Sequence, residues 1–133
     1  MRLGSILMNQ LKGVDVVSDV GFRMANSDRG PDLMVFPEHT ASGTWVTERP
    51  LLIAEIVSPS TRTQDYIAKS GEYARAGVNQ YWIVDPKLEF ITILRNDGAG
   101  GWATVSELNA ENPKAKVEVP NHGTVTVDLN SIL

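Results

Sequence analysis

The stretch LLIAEIV, residues 51–57, decides the fold class of this chain. A run that is apolar at nearly every position is typical of a strand buried on both faces, as in the middle of a mixed or parallel sheet. The run contains one charge, Glu55. Because burying an unpaired carboxylate costs several kcal/mol, the pattern predicts a divalent cation or a lysine opposite this residue.

Helix signals lie on both sides of this strand. Leucine and isoleucine recur at three- and four-residue spacing near the start of the chain, and Gly13 follows as a stop. After the strand, Thr61 and Gln64 have the spacing of a capping box. This predicts a helix through about Ala76 that ends at Gly77.

Further strands are predicted where apolar residues alternate or run between turn formers. Residues 18–19 (SD) predict a tight connection, residues 26–31 (NSDRGP) a turn, residues 38–50 a loop and residues 85–87 (DPK) a hairpin-like turn. The predicted strands are residues 14–17, 20–24, 32–36, 80–84, 88–94, 102–108, 116–119 and 124–127. This order predicts a mixed α/β domain with a central sheet and a C-terminal antiparallel strand extension.

The composition bounds the class of protein. With 133 residues, 42% hydrophobic and 21% charged, the chain is typical of one globular domain. It contains no cysteine, which excludes disulfides, thiolate zinc sites and a cysteine nucleophile and is consistent with a reducing cytoplasm. No apolar run approaches the roughly 18–20 residues that cross a bilayer, so we expect no membrane span. The formal net charge of −4 argues against a non-specific nucleic-acid coat, but leaves room for a local basic groove.

Three residues form a candidate catalytic constellation: Asp32, Glu55 and Lys69. Asp32 opens a strand after Pro31, where its side chain can reach solvent at a sheet edge. Lys69 lies two turns into the following helix and can lean back over the Glu55 strand, because a helix rises about 1.5 Å per residue. Two carboxylates, a backbone carbonyl and waters suit Mg²⁺ or Mn²⁺, which can activate water against a phosphodiester. A structural alternative stays open, in which Glu55 is simply paired with Lys69 or Arg62.

The motifs of the chain are also similar to those of a known family. The segments 31–37 (PDLMVFP) and 50–86 (PLLIAEIVSPSTRTQDYIAKSGEYARAGVNQYWIVDP) resemble the Uma-type family of restriction endonuclease-like proteins, small bacterial members of the PD-(D/E)xK nuclease superfamily. The resemblance covers most of the chain. The residues that stand in the family's order are Glu55, Ser58-Pro59-Ser60-Thr61, Asp65, Lys69, Tyr73, Ala76-Gly77, Tyr81-Trp82 and Asp85-Pro86.

The resemblance implies a restriction-endonuclease-like fold, a mixed central sheet flanked by helices, and a DNA endonuclease that uses Mg²⁺ or Mn²⁺. It implies that Asp32 and Glu55 are the two metal carboxylates, with the backbone carbonyl of Ile56 beside them. In the superfamily pattern the lysine lies two residues after the second acid, where this chain has Val57. The resemblance therefore implies that the catalytic lysine has moved to Lys69 on the following helix.

The chain departs from the family at its N terminus. The family begins with a further segment that carries a Glu, whereas this chain has no Glu before Glu38. We therefore expect one nuclease-like domain over residues 1–133 that lacks this segment. A second function follows as an alternative: a catalytically inactive domain of the same fold that serves DNA binding, regulation or assembly.

The resemblance also implies a quaternary structure, because superfamily nucleases often pair subunits so that each cuts one strand. We expect a cytoplasmic homodimer, with an exposed hairpin at Trp102 or the N-terminal helix at the contact. A DNA groove would combine Arg23, Arg29, Arg49 and Arg62.

Several motif residues have purely structural interpretations as well. Asp65 and Lys69 have the spacing of an ion pair on a helix surface, Tyr73 is predicted to pack against the sheet, and Asp85 is predicted as a turn former. Tyr81-Trp82 is predicted to lie in the core.

Ser58 and Ser60 suggest a third, less favoured function, an unrelated hydrolase with a serine nucleophile. No histidine lies near them in sequence, since the two histidines are His39 and His122.

Overall fold

The computed structural model describes residues 2–40 and 43–133. Residues 62–63 are already helical, ahead of a π-helical segment that we label π1. The helices and strands are α1 (Leu3–Gln10), β1 (Val14–Val17), β2 (Gly21–Arg23), β3 (Asp28–Arg29), β4 (Leu33–Pro37), β5 (Trp45–Val46), β6 (Leu52–Ile56), π1 (Gln64–Lys69), α2 (Ser70–Arg75), β7 (Gln80–Asp85), β8 (Phe90–Asn96), β9 (Trp102–Leu108), β10 (Lys114–Val119), β11 (Gly123–Asp128) and α3 (Leu129–Ile132).

The central sheet has six strands in the order β1-β4-β6-β7-β8-β9. β6 and β7 are parallel, and the other neighbours are antiparallel. The apolar run around Glu55 therefore forms an interior strand with β4 on one side and β7 on the other, as its composition predicts. The mixed α/β class is confirmed.

The sheet is buried on both faces, and strand alternation decides which residue joins which core. One face packs against α1, α3 and the hairpin β10–β11, and the other against α2 and a small sheet. The first core includes Leu3, Leu7, Leu52, Ala54, Trp82, Val84, Val125 and Leu129. The second includes Phe22, Met34, Phe36, Val46, Ile53, Tyr73, Tyr81 and Ile83. Because Glu55 is two residues from Ile53, it faces the side of α2.

Two smaller sheets complete the molecule, a hairpin β10–β11 and a three-stranded sheet in the order β3-β2-β5. The hairpin is the predicted C-terminal antiparallel extension. The strands predicted at 14–17 and 20–24 do not pair across residues 18–19, since β1 joins the central sheet and β2 the small one. The predicted turn 26–31 and loop 38–50 contain the short strands β3 and β5; residues 41 and 42 lie outside the described residues.

The connections around α2 agree with their turn chemistry. Gly77 has a φ of +81° and ends the helix, as predicted. The Thr61 hydroxyl accepts the Ser58 N–H at 3.0 Å in the loop before the helix, and the side chain of Gln64, the other half of the predicted capping box, is outside what the structure describes. Among the described residues, no helix has both the length and the apolar character needed to cross a bilayer.

The strand β9 starts at Trp102, which was expected to be exposed at a dimer contact. The indole is half-buried, less exposed than expected, and its N–H donates to the Ser70 carbonyl at 2.9 Å. Trp102 thereby fixes the junction between π1 and α2, and the dimer contact stays a prediction.

Candidate active site

Glu55 lies at the centre of the site, near the C-terminal end of β6. Its side chain is only 2% exposed. The two carboxylate oxygens accept separate hydrogen bonds. The backbone N–H of Asp32 donates to Oε1 at 3.0 Å, and the Tyr73 hydroxyl donates to Oε2 at 2.8 Å. The buried carboxylate is therefore held from both sides.

Asp32 lies beside Glu55 because β4 and β6 are antiparallel neighbours. The outermost backbone pair of the two strands joins Leu33 with Ala54, so one further step brings Asp32 level with Glu55. Beyond the last backbone pair, side-chain oxygens replace backbone carbonyls as acceptors between the two strands. The N–H of Ile56 donates to Oδ2 of Asp32 at 2.7 Å. Asp32 is exposed, so the two carboxylates lead from the protein interior to solvent.

Lys69 brings a positive charge to the same point from π1. Its ammonium lies 3.2 Å from Oε2 of Glu55 and 2.7 Å from Oδ1 of Asp65, and its side chain is 18% exposed. The loop after β6 turns the chain back over the end of the strand, which allows this approach. The structure thus brings Asp32, Glu55 and Lys69 together.

The pKa values in the site follow from burial and from the neighbouring charges. Burial raises the pKa of Glu55, and the hydrogen bonds from Asp32 and Tyr73 and the charge of Lys69 offset this only in part. Burial alone would lower the pKa of Lys69, but the carboxylates of Asp65 and Glu55 outweigh it, so the pKa is raised and the ammonium is charged at neutral pH. Burial also raises the pKa of Tyr73, whose hydroxyl therefore stays a neutral donor.

Asp65 and Tyr73 are the site residues that sequence reasoning missed. Asp65 is buried, not on the helix surface, and its Oδ1 has no hydrogen-bond partner among the described residues, so the ion pair with Lys69 is its polar contact. Tyr73 packs in the core as predicted and also binds Glu55. The signal that could have found them is the four-residue interval from 65 to 69 to 73, because residues so spaced lie on one helix face.

A comparison with protein families shows which family the chain belongs to. The family described as "Uma2: Putative restriction endonuclease" matches residues 1–127. The chain belongs to the Uma2 family. The resemblance drawn from the motifs is thereby confirmed, and membership supports a nuclease-like function. No curated protein matches the sequence.

The Uma2 chain shares its fold with a solved structure. It is similar to a "putative nuclease belonging to DUF820" from Anabaena variabilis ATCC 29413, with a TM-score of 0.65 and 18% identity, over 88% of this chain and 65% of that chain. The Uma2 chain thus spans 65% of the length of that relative. It also matches the type IIG restriction endonuclease BpuSI, with a TM-score of 0.43 and 20% identity, over 70% of this chain and 10% of that one.

Arg62, a possible partner of Glu55 by sequence, pairs with Asp85 instead. Its Nε and Nη2 donate to the two Asp85 oxygens at 2.7 and 3.2 Å. Asp85, predicted only as a turn former, is fully buried and also accepts the Leu88 N–H at 3.0 Å. The Arg62 hydrogen bond lowers the pKa of the Asp85 carboxyl, against the effect of burial. The cationic partner of Glu55 is therefore Lys69.

The four arginines expected to form a DNA groove do not form a free basic surface. Three of them are paired with carboxylates: Arg23 with Asp28, Arg29 with Glu72 and Arg62 with Asp85. The fourth, Arg49, lies beside Gly77.

The serines of the Uma2 chain have no histidine partner among the described residues. Oγ of Ser58 lies 3.0 Å from Oγ of Ser60 and 3.2 Å from Oγ1 of Thr61. Nδ1 of His122 lies 2.8 Å from the Lys12 carbonyl oxygen, in another part of the fold. These contacts give no support to a serine nucleophile.

Asp32 and Glu55 fit a hard divalent cation by their donor chemistry. The second oxygen of Asp32, Oδ1, accepts no hydrogen bond from a described residue, because Ile56 donates to Oδ2. Residues 2–40 and 43–133 contain no group of three or more His, Cys, Asp or Glu side chains arranged to hold a metal ion. Mg²⁺ commonly takes one or two carboxylates, with waters and substrate phosphates as further ligands. Two acids are therefore a sufficient protein donor set.

Proposed function

We propose that this Uma2 chain is a Mg²⁺- or Mn²⁺-dependent endonuclease that hydrolyses phosphodiester bonds in DNA. The observation that carries the proposal is the ammonium of Lys69, held 3.2 Å from Oε2 of the buried Glu55, whose other oxygen accepts the Asp32 N–H. Phosphodiester hydrolysis builds negative charge on the phosphate oxygens, which a fixed positive charge stabilises. The description of the family supports the same reaction.

In this proposal Asp32, Glu55 and the backbone carbonyl of Ile56 hold the cation. When bound, the cation activates water and neutralises charge on the phosphodiester. The water oxygen bonds to phosphorus and gives its proton to solvent, while the bond from phosphorus to the leaving oxygen breaks and that oxygen takes up a proton from solvent. Lys69 stays protonated and orients the water or stabilises the charged phosphate. Tyr73 fixes the Glu55 carboxylate.

Nicking of supercoiled plasmid in Mg²⁺ or Mn²⁺ tests the proposal. We expect the wild-type chain to nick the plasmid and Asp32→Ala, Glu55→Ala and Lys69→Ala each to lose about 10²-fold or more in rate. Lys87→Ala is the matched control, since Lys87 is exposed in the turn after β7. Equal cleavage by the wild type and all variants would show a contaminant and remove the proposal.

One observation favours a second function, a catalytically inactive domain with a DNA-binding, regulatory or assembly role. Both oxygens of Glu55 already accept hydrogen bonds from the chain, and Lys69 is shared with Asp65, so the cluster is satisfied without a ligand. Calorimetry with Mn²⁺ separates the two functions. Heat of binding that is lost in Asp32→Ala supports the nuclease, and no heat at millimolar Mn²⁺ supports the inactive domain.

The proposal includes a cytoplasmic homodimer in which each subunit cuts one strand. With Trp102 half-buried, α1 is the favoured candidate for the contact, and its Met8 side chain is 61% exposed. Sedimentation should give the mass of a dimer for the wild type and of a monomer for Met8→Glu. A monomer for the wild type contradicts this part of the proposal.

A further inference from the structure

A second cleft lies at the C-terminal end of α2, away from Glu55. It has a volume of about 550 Å³ and is lined by the side chains of two arginines, two asparagines and the glycines of the β8–β9 loop. Pockets of roughly 300 to 1,000 Å³ hold drug-sized ligands. The cleft therefore has room for a ligand larger than a single small anion. Its lining includes Arg49, Arg75, Gly77, Asn79 and Asn96.

Arg49 and Arg75 differ from the paired arginines of the fold. Within the described residues, neither has a carboxylate within ion-pair distance and neither donates a hydrogen bond, whereas Arg23, Arg29 and Arg62 do both. A guanidinium has five N–H donors and no acceptor. Two such groups on one cleft provide a donor-rich, positively charged surface without an anionic partner from the chain.

The walls of this cleft are fixed by the local backbone. Gly77 has a φ of +81°, and a Cβ atom there would lie 2.9 Å from Nε of Arg49, so the guanidinium lies where a side chain at 77 would be. The Asn96 amide donates to the Ala74 and Val78 carbonyls at 3.0 Å each and accepts the Gly98 N–H at 2.9 Å. The helix end, the start of β7 and the loop after β8 are thereby tied together.

Acidic side chains near the cleft are bound elsewhere. Glu72, on the same helix, is held by Arg29 through two hydrogen bonds. Asp97 accepts the backbone N–H groups of Ala99 and Gly101 at 2.7 and 3.1 Å. Arg75 lowers the pKa of the Glu72 carboxyl through its charge but, like Arg49, forms no direct ion pair among the described residues, so both guanidinium groups keep their N–H donors for a ligand.

The cleft is separate from the candidate active site. It adjoins the N-terminal end of β7, whereas Glu55 lies near the C-terminal end of β6. Because β6 and β7 are parallel and Glu55 pairs with Ile83, the cleft residue Asn79 lies four residues back along β7, at a distance of about 13 Å. A ligand that reaches both sites must be extended.

We propose that the cleft of Arg49 and Arg75 binds phosphate groups of a nucleic-acid backbone. Guanidinium groups bind phosphate oxygens through paired N–H donors, and a nucleic acid supplies phosphates at regular intervals over the distance between the two sites. The proposal deepens the proposed function and rests on it for the choice of ligand, since free phosphate offers the same chemistry. Asn79, on the same wall, adds an amide donor.

Binding of fluorescently labelled DNA, measured by anisotropy in a Glu55→Gln background, tests the proposal without cleavage. Single-stranded and duplex DNA are titrated at several salt concentrations, with inorganic phosphate as a separate competitor. We expect Arg49→Ala and Arg75→Ala each to weaken binding about ten-fold and to reduce the dependence of log affinity on log salt by about one. Thermal unfolding confirms that each variant is folded.

Arg95→Ala is the matched control. Arg95 precedes Asn96 on β8 and is exposed, and strand alternation puts it on the opposite face of the sheet from the cleft. Arg95→Ala removes the same charge at a position outside the cleft. The DNA affinity of this variant should therefore stay within about two-fold of the parent (about 0.4 kcal/mol).

The remaining outcomes either overturn or support the proposed phosphate site. An equal loss in Arg95→Ala overturns the proposal, because it would reflect net charge alone. Absence of DNA binding by the parent also overturns it, and so does full displacement of the labelled DNA by millimolar inorganic phosphate, because the cleft would then be a site for free phosphate. DNA binding that depends on Arg49 and Arg75, in a chain whose wild type nicks no plasmid, supports this site and contradicts only the proposed nuclease activity.

Discussion

Glu55 is a carboxylate buried within a strand, and three neighbours stabilise its charged form. The Asp32 N–H, the Tyr73 hydroxyl and the Lys69 ammonium all contact its oxygens. A buried carboxylate without such partners costs several kcal/mol. Because burial still raises the pKa of Glu55, loss of one partner should raise it further.

Tyr73→Phe tests this dependence at a single atom. The substitution removes the hydroxyl that donates to Oε2 of Glu55 and keeps the ring in the core. Hydrogen bonds to charged groups contribute about 1.5–3 kcal/mol, so we expect the free energy of unfolding in urea to fall by about 2 kcal/mol at neutral pH. The loss should shrink in acid, where Glu55 is protonated and accepts a weaker bond.

Tyr81→Phe is the control for this measurement. The Tyr81 hydroxyl donates to the neutral backbone carbonyl of Asp65 at 3.0 Å, so its loss should cost about 1 kcal/mol and vary little with pH. The same loss and the same pH dependence in both variants would contradict the role given to the Glu55 charge.

At the scale of the element, the helix after β6 is shaped by its π-helical first half. Such segments are rare and are frequent at functional sites, and π1 carries both Asp65 and Lys69. Side chains from the sheet donate hydrogen bonds to the backbone of this helix: the Tyr81 hydroxyl donates to the Asp65 carbonyl, and the Trp102 indole donates to the Ser70 carbonyl. The sheet therefore positions the helix turn that presents Lys69.

Gly77, which ends α2, also leaves the space that the Arg49 side chain occupies. Gly77→Ala forces a Cβ atom into the left-handed region, at a cost of about 1–2 kcal/mol, and pushes against Nε of Arg49. We expect a lower unfolding free energy together with a several-fold loss of DNA affinity by anisotropy.

Gly13→Ala separates these two effects. Gly13 follows α1 with a φ of +69°, and an added Cβ atom would meet the His122 ring at ordinary contact distances, 3.6 Å to Nδ1 and 3.9 Å to Cε1. Its loss of stability should be similar to that of Gly77→Ala, with DNA affinity unchanged. Equal DNA affinity in the two variants would show that Gly77 does not position Arg49.

The ion pair of Arg62 with Asp85 anchors the start of the helix to the end of β7, and its contribution depends on pH. The pKa of Asp85 is below its ordinary value of 3.8, so its stabilisation is present above that value and is lost as the pH falls through the lower folded-state pKa. We expect Asp85→Asn to lower the unfolding free energy at neutral pH, and the difference from wild type to narrow in strong acid. A difference that stays constant across this range would contradict the assignment.

At the scale of the whole molecule, the elements with a strong apolar pattern could be predicted from the sequence. The run around Glu55 and the strand at Tyr81 bury residues in both cores, and the C-terminal hairpin buries alternate residues in one core, so each apolar pattern follows directly from burial. The strands β3 and β5 have two residues each, too few to show an apolar pattern in the sequence. The separation of β1 from β2 could not be predicted either, because strand pairing is set by contacts distant in sequence.

In the candidate active site, too, some residues could be predicted from the sequence and others could not. A charge inside an apolar strand marks Glu55, and a Pro-Asp step before a strand marks Asp32. The partners of these groups depend on how the helix is set against the sheet, which is why Asp65 seemed a surface residue and Asp85 a turn former. Sequence spacing can propose an ion pair but cannot tell whether it is buried.

The central claim is that Asp32 and Glu55 together bind a divalent cation beside Lys69. Anomalous diffraction from crystals soaked in Mn²⁺ tests it most directly. We expect one strong peak bonded to oxygens of both residues, at about 2.0–2.2 Å, which is absent from crystals of Asp32→Ala. Anomalous peaks only at other surface carboxylates, with Lys69 still bound to Glu55, would contradict the claim.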